Sequence, residues 1–201
     1  MKDLRQIQKE LLEYLNDEYM HITKIRNVHF PVEDMIGHVP TLERYMRYYG
    51  FMDHIKSMRF RISCKQDSLV HLDGASNRYS FNIPIINYEG SQIDYYDPSP
   101  ETKLTSQLPD YLMEEAIKAM NNIVGPPPPN FFSIDNPETM TLNGSVAVDI
   151  PHIINTEMIH HINISRFFGN RHMLLIRLNQ DWDQDEFVEE FEDEIEEVKE
   201  A

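Results

Sequence analysis

The chain has a single cysteine, Cys64, among its 201 residues. An internal disulfide is therefore excluded, which agrees with a reducing compartment. Cys64 reads as a small buried residue and not as a nucleophile. No apolar run approaches the roughly 20 residues that a membrane-spanning helix needs, so no membrane partner is expected. The opening residues, Met1-Lys-Asp-Leu-Arg-Gln, contain no apolar signal core, and a cytoplasmic location is the expectation. Basic residues are also scarce, with 18 Lys and Arg against 34 Asp and Glu for a net charge of −16. The segment from Asp183 to Ala201 holds eleven acids and one lysine, so it supplies −10 of that charge and leaves −6 on the other 182 residues. Neither part offers the basic footprint of a nucleic-acid binder. The one basic concentration, Arg44, Arg47, Lys56, Arg59 and Arg61, reads as a solvated face. No internal repeat is evident.

What is present suits an ordinary globular protein: 41% hydrophobic and 10% aromatic residues. The length fits one domain with a sizeable core, about 1–201, and is short for two. Leu4, Ile7, Leu11 and Leu15 recur at helical spacing and predict an amphipathic helix. His21 to Val39 reads as irregular chain with a short strand around Ile25–Phe30. Thr41 is placed to cap a helix whose apolar side is Leu42, Tyr45, Met46 and Tyr49, and Gly50 to end it. The N-terminal helices thus cover about 1–57. From Met58 the period becomes two, with Met58, Phe60, Ile62 and Cys64 alternating with Arg59, Arg61 and Ser63. Lys65–Ser68 is the turn before His71. Tyr79 to Ile86 is dense enough in apolar residues for a strand buried on both sides. Asn87-Tyr-Glu-Gly-Ser-Gln signals a hairpin with a returning strand at Ile93–Tyr96.

Residues 98–144 break this rhythm and read as an insertion or lid, with a helix at 110–123 and an extended run at Pro126–Pro129. Strands resume at Val146–Ile150 and Met158–Ile164, with a turn between them after His152. Gly169-Asn170 is a turn pair, and Arg171–Leu178 is an apolar strand. An acidic helix with Phe187, Val188, Phe191, Ile195 and Val198 on its apolar side occupies about 183–201, docked through that side. Helices first, then seven or eight short strands, predict a mainly β fold with flanking helices, a barrel or jelly roll.

One stretch carries chemistry. His71 and Asp73 stand two residues apart on extended chain, so their side chains point to the same side. Imidazole and carboxylate then converge as the first two arms of a two-His-one-carboxylate iron site. The strand from Met158 offers two candidates for the third arm. Alternation puts His160 and Ile162 on one face and His161 and Asn163 on the other. The remaining histidines, His21, His29, His38 and His54, read as surface or satisfied residues, and His152 and His172 have no partner at ligand spacing. Tyr95, Tyr96 and Trp182 suit core packing better than a cleft. Asn87 suits a role in satisfying backbone groups.

His71-x-Asp73, then Asn82-Ile-Pro-Ile-Ile-Asn87, then Asn155-Thr156-x-x-x-His160, then Arg171 about ten residues later, resembles the Fe(II)- and 2-oxoglutarate-dependent oxygenases. Among them it resembles the aspartyl/asparaginyl β-hydroxylase-like members, including short phage and marine bacterial forms. The resemblance covers roughly Arg59 to Leu178. It implies a double-stranded β-helix (jelly roll, cupin-like), with His71, Asp73 and His160 holding Fe(II). It implies that Arg171 pairs with the distal carboxylate of 2-oxoglutarate, a task suited to a planar guanidinium. Asn82 would point into the cofactor pocket. Arg177, on the same face as Arg171, is the competing anchor, although its place near the strand end suggests exposure. Family spacing favours His160 over His161. Ile159 replaces a common proline, and Ser80 stands where some relatives are basic, a role open to Arg61. The implied activity is hydroxylation of a peptide side chain or small molecule, consuming O2 and releasing succinate and CO2. Two other readings stay open: a cupin-like metalloenzyme without 2-oxoglutarate, and a non-catalytic β-roll that presents its acidic helix and prolines to a partner.

Overall fold

The computed structural model describes residues 3–20, 26–63, 70–73, 78–105, 132–134, 136–163, 171–179 and 181–192. Helix α1 (Leu4–Met20) forms on the predicted stripe, with Ile7, Leu11 and Leu15 buried. After strand β1 (Arg26–Phe30), helix α2 (Val32–His38) replaces part of the irregular chain expected there. It is two turns long and buries only Met35, too little to register as periodicity. Helix α3 (Pro40–Tyr48) follows with Val39 as its N-cap, so Thr41 lies inside the helix and is not its cap. The Thr41 N–H and hydroxyl instead donate to the Glu10 carboxylate of α1, at 2.9 and 2.6 Å. A carboxylate from a neighbouring helix thereby satisfies groups that a helix start leaves open. Gly50 ends α3 as expected. It takes φ +67°, and the Phe51 N–H closes on the Met46 carbonyl at 2.8 Å, a Schellman ending that favours glycine.

The remaining strands are β2 (Ile55–Ser63), β3 (His71–Leu72), β4 (Tyr79–Ile86), β5 (Gln92–Asp97), β6 (Leu104–Thr105), β7 (Phe132–Ile134), β8 (Thr141–Ala147), β9 (His152–Asn155), β10 (Ile159–Asn163) and β11 (Arg171–Leu178), followed by helix α4 (Gln184–Glu190). They form two antiparallel sheets, ordered β1-β2-β11-β4-β9 and β6-β7-β3-β10-β5-β8. The fold is mainly β with flanking helices, as expected. Among the described residues neither sheet closes on itself, since each order is linear with two edges.

Strand β11 is the centre of the first sheet and is buried along its whole length. Its even residues, Leu174, Ile176 and Leu178, join Phe60, Ile83 and Phe81 against Ile7, Leu11, Leu42 and Met46 of the helices. That outer face is the main core. The odd residues, Arg171, Met173, Leu175 and Arg177, turn to the second sheet, because alternate strand residues take opposite faces. A smaller cluster of Ile93, Val148 and Ile154 joins the two sheets.

Three expectations change. The turn at Asn87–Ser91 does not close a hairpin: β4 pairs with β11 and β9, while β5 pairs with β10 and β8. Asn87 (φ 53°) and Gly90 (φ 68°) form a corner that carries the chain between sheets. Turn residues are the same in both outcomes, because the pairing partner is chosen by distant strands. Second, the segment 98–144 contributes β6, β7 and the first part of β8 to the second sheet, so its ends are sheet rather than lid. Third, His152–Asn155 is a strand, not only the approach to a turn. Helix α4 starts after Asp183, whose carboxylate accepts from Asp185 N at 2.8 Å, and docks through Phe187 against Phe51 and Trp182. Cys64, the turns at 65–68 and 169–170, the helix expected at 110–123, the prolines 126–129 and residues 193–201 lie outside the described residues. No helix among the described residues is long and apolar enough to cross a membrane.

Candidate metal and anion site

The inner face of the first sheet is unusually polar for a surface between two sheets. Across the strands the register runs His29, Arg59, Leu175, Asn82 and His152 as one row of facing residues. Neighbouring rows hold Arg61 with Met173 and Ser57 with Arg177 and Ser80. Facing residues of an antiparallel pair project to the same side. Four arginines, Arg59, Arg61, Arg171 and Arg177, therefore share this face. The basic concentration read as a solvated face is thus divided: Arg59 and Arg61 turn inward. Period-two alternation identified the polar side of β2 but not that another sheet covers it.

From the second sheet, His71 of β3 stands directly opposite His160 of β10. Their rings lie 4.3 Å apart between centroids. Tyr95, opposite His160 on β5, extends the same row, and burial pushes its phenol up to about 12. The strand β10 alternates as expected, so His161 takes the other face. There it lies 3.7 Å from Asp94, which also accepts from Ser145 and Gln92.

Asp73 follows β3 and is fixed by its own backbone, its N–H donating to the Thr156 carbonyl at 2.8 Å. One carboxylate oxygen, Oδ1, lies 3.8 Å from His71 Nε2; the other, Oδ2, accepts from the Arg177 guanidinium across the inter-sheet space. Burial alone raises the carboxyl pKa, but Arg177, His71, His160 and Arg59 together hold it well below the usual range. His160 is 2% exposed, and burial depresses its pKa more than Asp73 raises it, so the ring is neutral near pH 7. Its Nδ1 lies 2.9 Å from the Met158 carbonyl and donates to it. That bond fixes the tautomer and leaves Nε2 with a lone pair, the arrangement a ligating histidine requires.

The structure thus brings together His71, Asp73 and His160, and adds Arg177 to them. Arg177 is 6% exposed, so the expectation of a solvent-exposed strand end is overturned. Arg171 is buried on the same strand and face, but six residues away, about 20 Å at the usual strand rise. Its charge is felt by His152, not among the influences on Asp73. Asn82 lies on the same face, buried, and accepts from the Ser80 hydroxyl at 2.8 Å. Trp182 packs in the core against Phe51 and Tyr79, whereas Tyr95 borders the site.

Among the described residues, no group of three or more His, Cys, Asp or Glu side chains is placed so that it could hold a metal ion. The donor set nonetheless suits a divalent iron in its chemistry: two imidazoles on facing strand positions and one carboxylate beside them. Donors that share a metal at about 2.1 Å and 90° stand about 3 Å apart, so 3.8 Å between His71 and Asp73 calls for a small carboxylate shift.

Two further residues of the inner face were not singled out in the sequence. The Arg59 guanidinium is pushed down to about 9, first by burial and then by Arg177, with Asp73 opposing. His152 donates Nδ1 to the Ile150 carbonyl at 2.9 Å, and its buried Nε2 has no hydrogen-bond partner. Burial, with Arg171 adding to it, pushes this imidazole down to about 4. Neither position is motif-like; only register and burial pick them out. On the helix-covered side, a cavity of about 600 Å³ lined by Arg5, Gln8, Lys9, Leu12, Glu13 and Ile85 shares no residue with the site. Compared with known proteins, the chain matches no family model, no curated protein and no solved structure.

Proposed function

We propose that this protein is an Fe(II)- and 2-oxoglutarate-dependent oxygenase on a double-stranded β-helix framework, hydroxylating a C–H bond of its substrate. The observation that carries the reading is the register pairing of His71 with His160, with the Asp73 carboxylate beside them between two sheets. His71, Asp73 and His160 would hold the metal. Arg171 would receive the distal carboxylate of 2-oxoglutarate, with Asn82 lining the pocket between. Iron with 2-oxoglutarate and O2 supplies the oxidation, releasing succinate and CO2 as the substrate takes up one oxygen atom. The chain's own part is to orient three donors and exclude water from the inter-sheet space. The His160 tautomer, set by the Met158 carbonyl, leaves Nε2 with the lone pair that a ligand would need.

Anaerobic titration of the protein with Fe(II) and then 2-oxoglutarate tests this. A visible charge-transfer band on adding 2-oxoglutarate is expected, because only the chelated complex absorbs there. Metal uptake without the band would favour a cupin-like metalloenzyme that uses no 2-oxoglutarate. The distance along β11 between Arg171 and the Asp73 partner Arg177 speaks for that second reading. Absence of metal uptake would remove both and leave the β-roll interaction protein.

A further inference from the structure

We propose that Arg59 and Arg177 form an anion subsite beside the metal position, and that the substrate carries an oxyanion group that docks there. Arg59 faces Leu175, two residues from Arg177 on β11, so the two arginines are diagonal neighbours on one face. Arg59 makes no hydrogen bond or ion pair among the described residues, and its Nε is sealed from water with no acceptor. Arg177 gives one amino group to Asp73, while its Nη1 is likewise buried without an acceptor. The buried Arg177 and the half-buried Arg59, each with a sealed unused donor and with Asp73 bound to Arg177 alone, are an arrangement that an anion relieves.

The co-substrate does not remove this need. Its distal carboxylate is assigned to Arg171, at the opposite end of β11. The near end would keep Arg59, part of Arg177 and the metal's own charge against Asp73. Arg59 is half-buried, not sealed throughout, and the row it belongs to ends at exposed His29 on the edge strand β1. A planar guanidinium pair suits a carboxylate or a phosphate, either of which accepts two parallel hydrogen bonds. As a statement about substrate, the inference rests on the oxygenase reading; as a statement about anion binding, it does not.

The test is calorimetric titration of the protein with acetate and with inorganic phosphate at low ionic strength. It is run metal-free and again with Mn(II) and 2-oxoglutarate at saturation. Binding of at least one probe in both states is expected, and the tighter one identifies the group. Arg59→Gln should weaken that binding by about tenfold or more, since a charge-assisted contact is lost. The same variant should leave the anaerobic 2-oxoglutarate titration within about twofold of wild type. No binding of either probe, or binding that Arg59→Gln leaves unchanged, overturns the subsite. An equal loss of anion and 2-oxoglutarate binding overturns it too, because the pair would then hold the co-substrate. Anion binding lost in Arg59→Gln, in a protein that never gives the charge-transfer band, upholds the subsite while the oxygenase reading fails. Circular dichroism and the melting curve of Arg59→Lys, which keeps the charge and the fold, separate a lost contact from a misfolded variant: partial recovery of binding is expected.

Discussion

Arg177 of β11 donates to the Asp73 carboxylate that follows β3, in an ion pair that joins the two sheets. Both side chains are close to fully buried, at 7% and 12% exposure. Removing one partner of such a pair strands the other, at a cost of about 3–5 kcal/mol. Arg177→Met and Asp73→Asn are each expected to lose about that much unfolding free energy in urea at neutral pH. The Asp73 contribution is present above its unfolded pKa and is lost as pH falls through the depressed folded value. Losses under about 1 kcal/mol in both variants would mean the pair contributes nothing. Asp73→Asn is also expected to abolish metal retention, so loss of metal in that variant must be measured where it is folded.

The adjacent histidines separate by face. His160→Gln is expected to weaken Mn(II) or Fe(II) binding by about 10- to 100-fold or more, and His161→Gln to leave it near wild type. Metal content after dialysis reads this directly. A larger loss in His161→Gln would exchange the two roles and require β10 to turn over.

Arg171→Ala is expected to raise the 2-oxoglutarate concentration needed for the charge-transfer band by about tenfold or more without changing metal content. Equal effects on metal and co-substrate would point to Arg177 or another residue as the anchor.

His152 makes stability depend on pH in a defined direction. Its folded pKa of about 4 lies below the ordinary 6.5. Between these values the unfolded chain binds more protons than the folded one, so stability rises with pH and is lost on acidification from about 6.5 to 4. At about 1.4 kcal/mol per unit, the contribution is at most on the order of 3–4 kcal/mol. Other histidines are depressed as well, so the quantity to measure is the difference between wild type and His152→Asn. That difference should shrink toward pH 4; two parallel curves would show that His152 takes its proton equally in both states.

Glu10 joins α1 to the start of α3 through the Thr41 N–H and hydroxyl. Glu10→Ala is expected to cost about 1 kcal/mol, the usual size of a lost helix cap. Thr41→Val tests the hydroxyl half of the contact separately. A melting temperature unchanged in both would show that water replaces the carboxylate without loss.

The elements that could be read from the chain are those whose signal is local. The stripe of Leu4, Ile7, Leu11 and Leu15, the alternation from Met58 to Ile62, the apolar density of Tyr79–Ile86 and Arg171–Leu178, and the glycine ending at Gly50 all depend on neighbours a few residues away. Helix α2 escaped because seven residues around one buried methionine leave no period to detect. The false hairpin after β4 has the same origin, since its turn residues serve a sheet-crossing corner equally well.

By itself the sequence determined a mainly β chain with helices ahead of the strands, an acidic end, and a His71-x-Asp73 pair on one side of an extended segment. Tertiary structure alone decided which histidine that pair meets, because His160 opposes His71 only through the register of β10 on β3. It also decided that Arg59 and Arg177 face inward and that Asp73 binds an arginine 104 residues away. A strand's own pattern says that two faces differ, and only the sheet packed against it determines which face is dry and what charge it must meet.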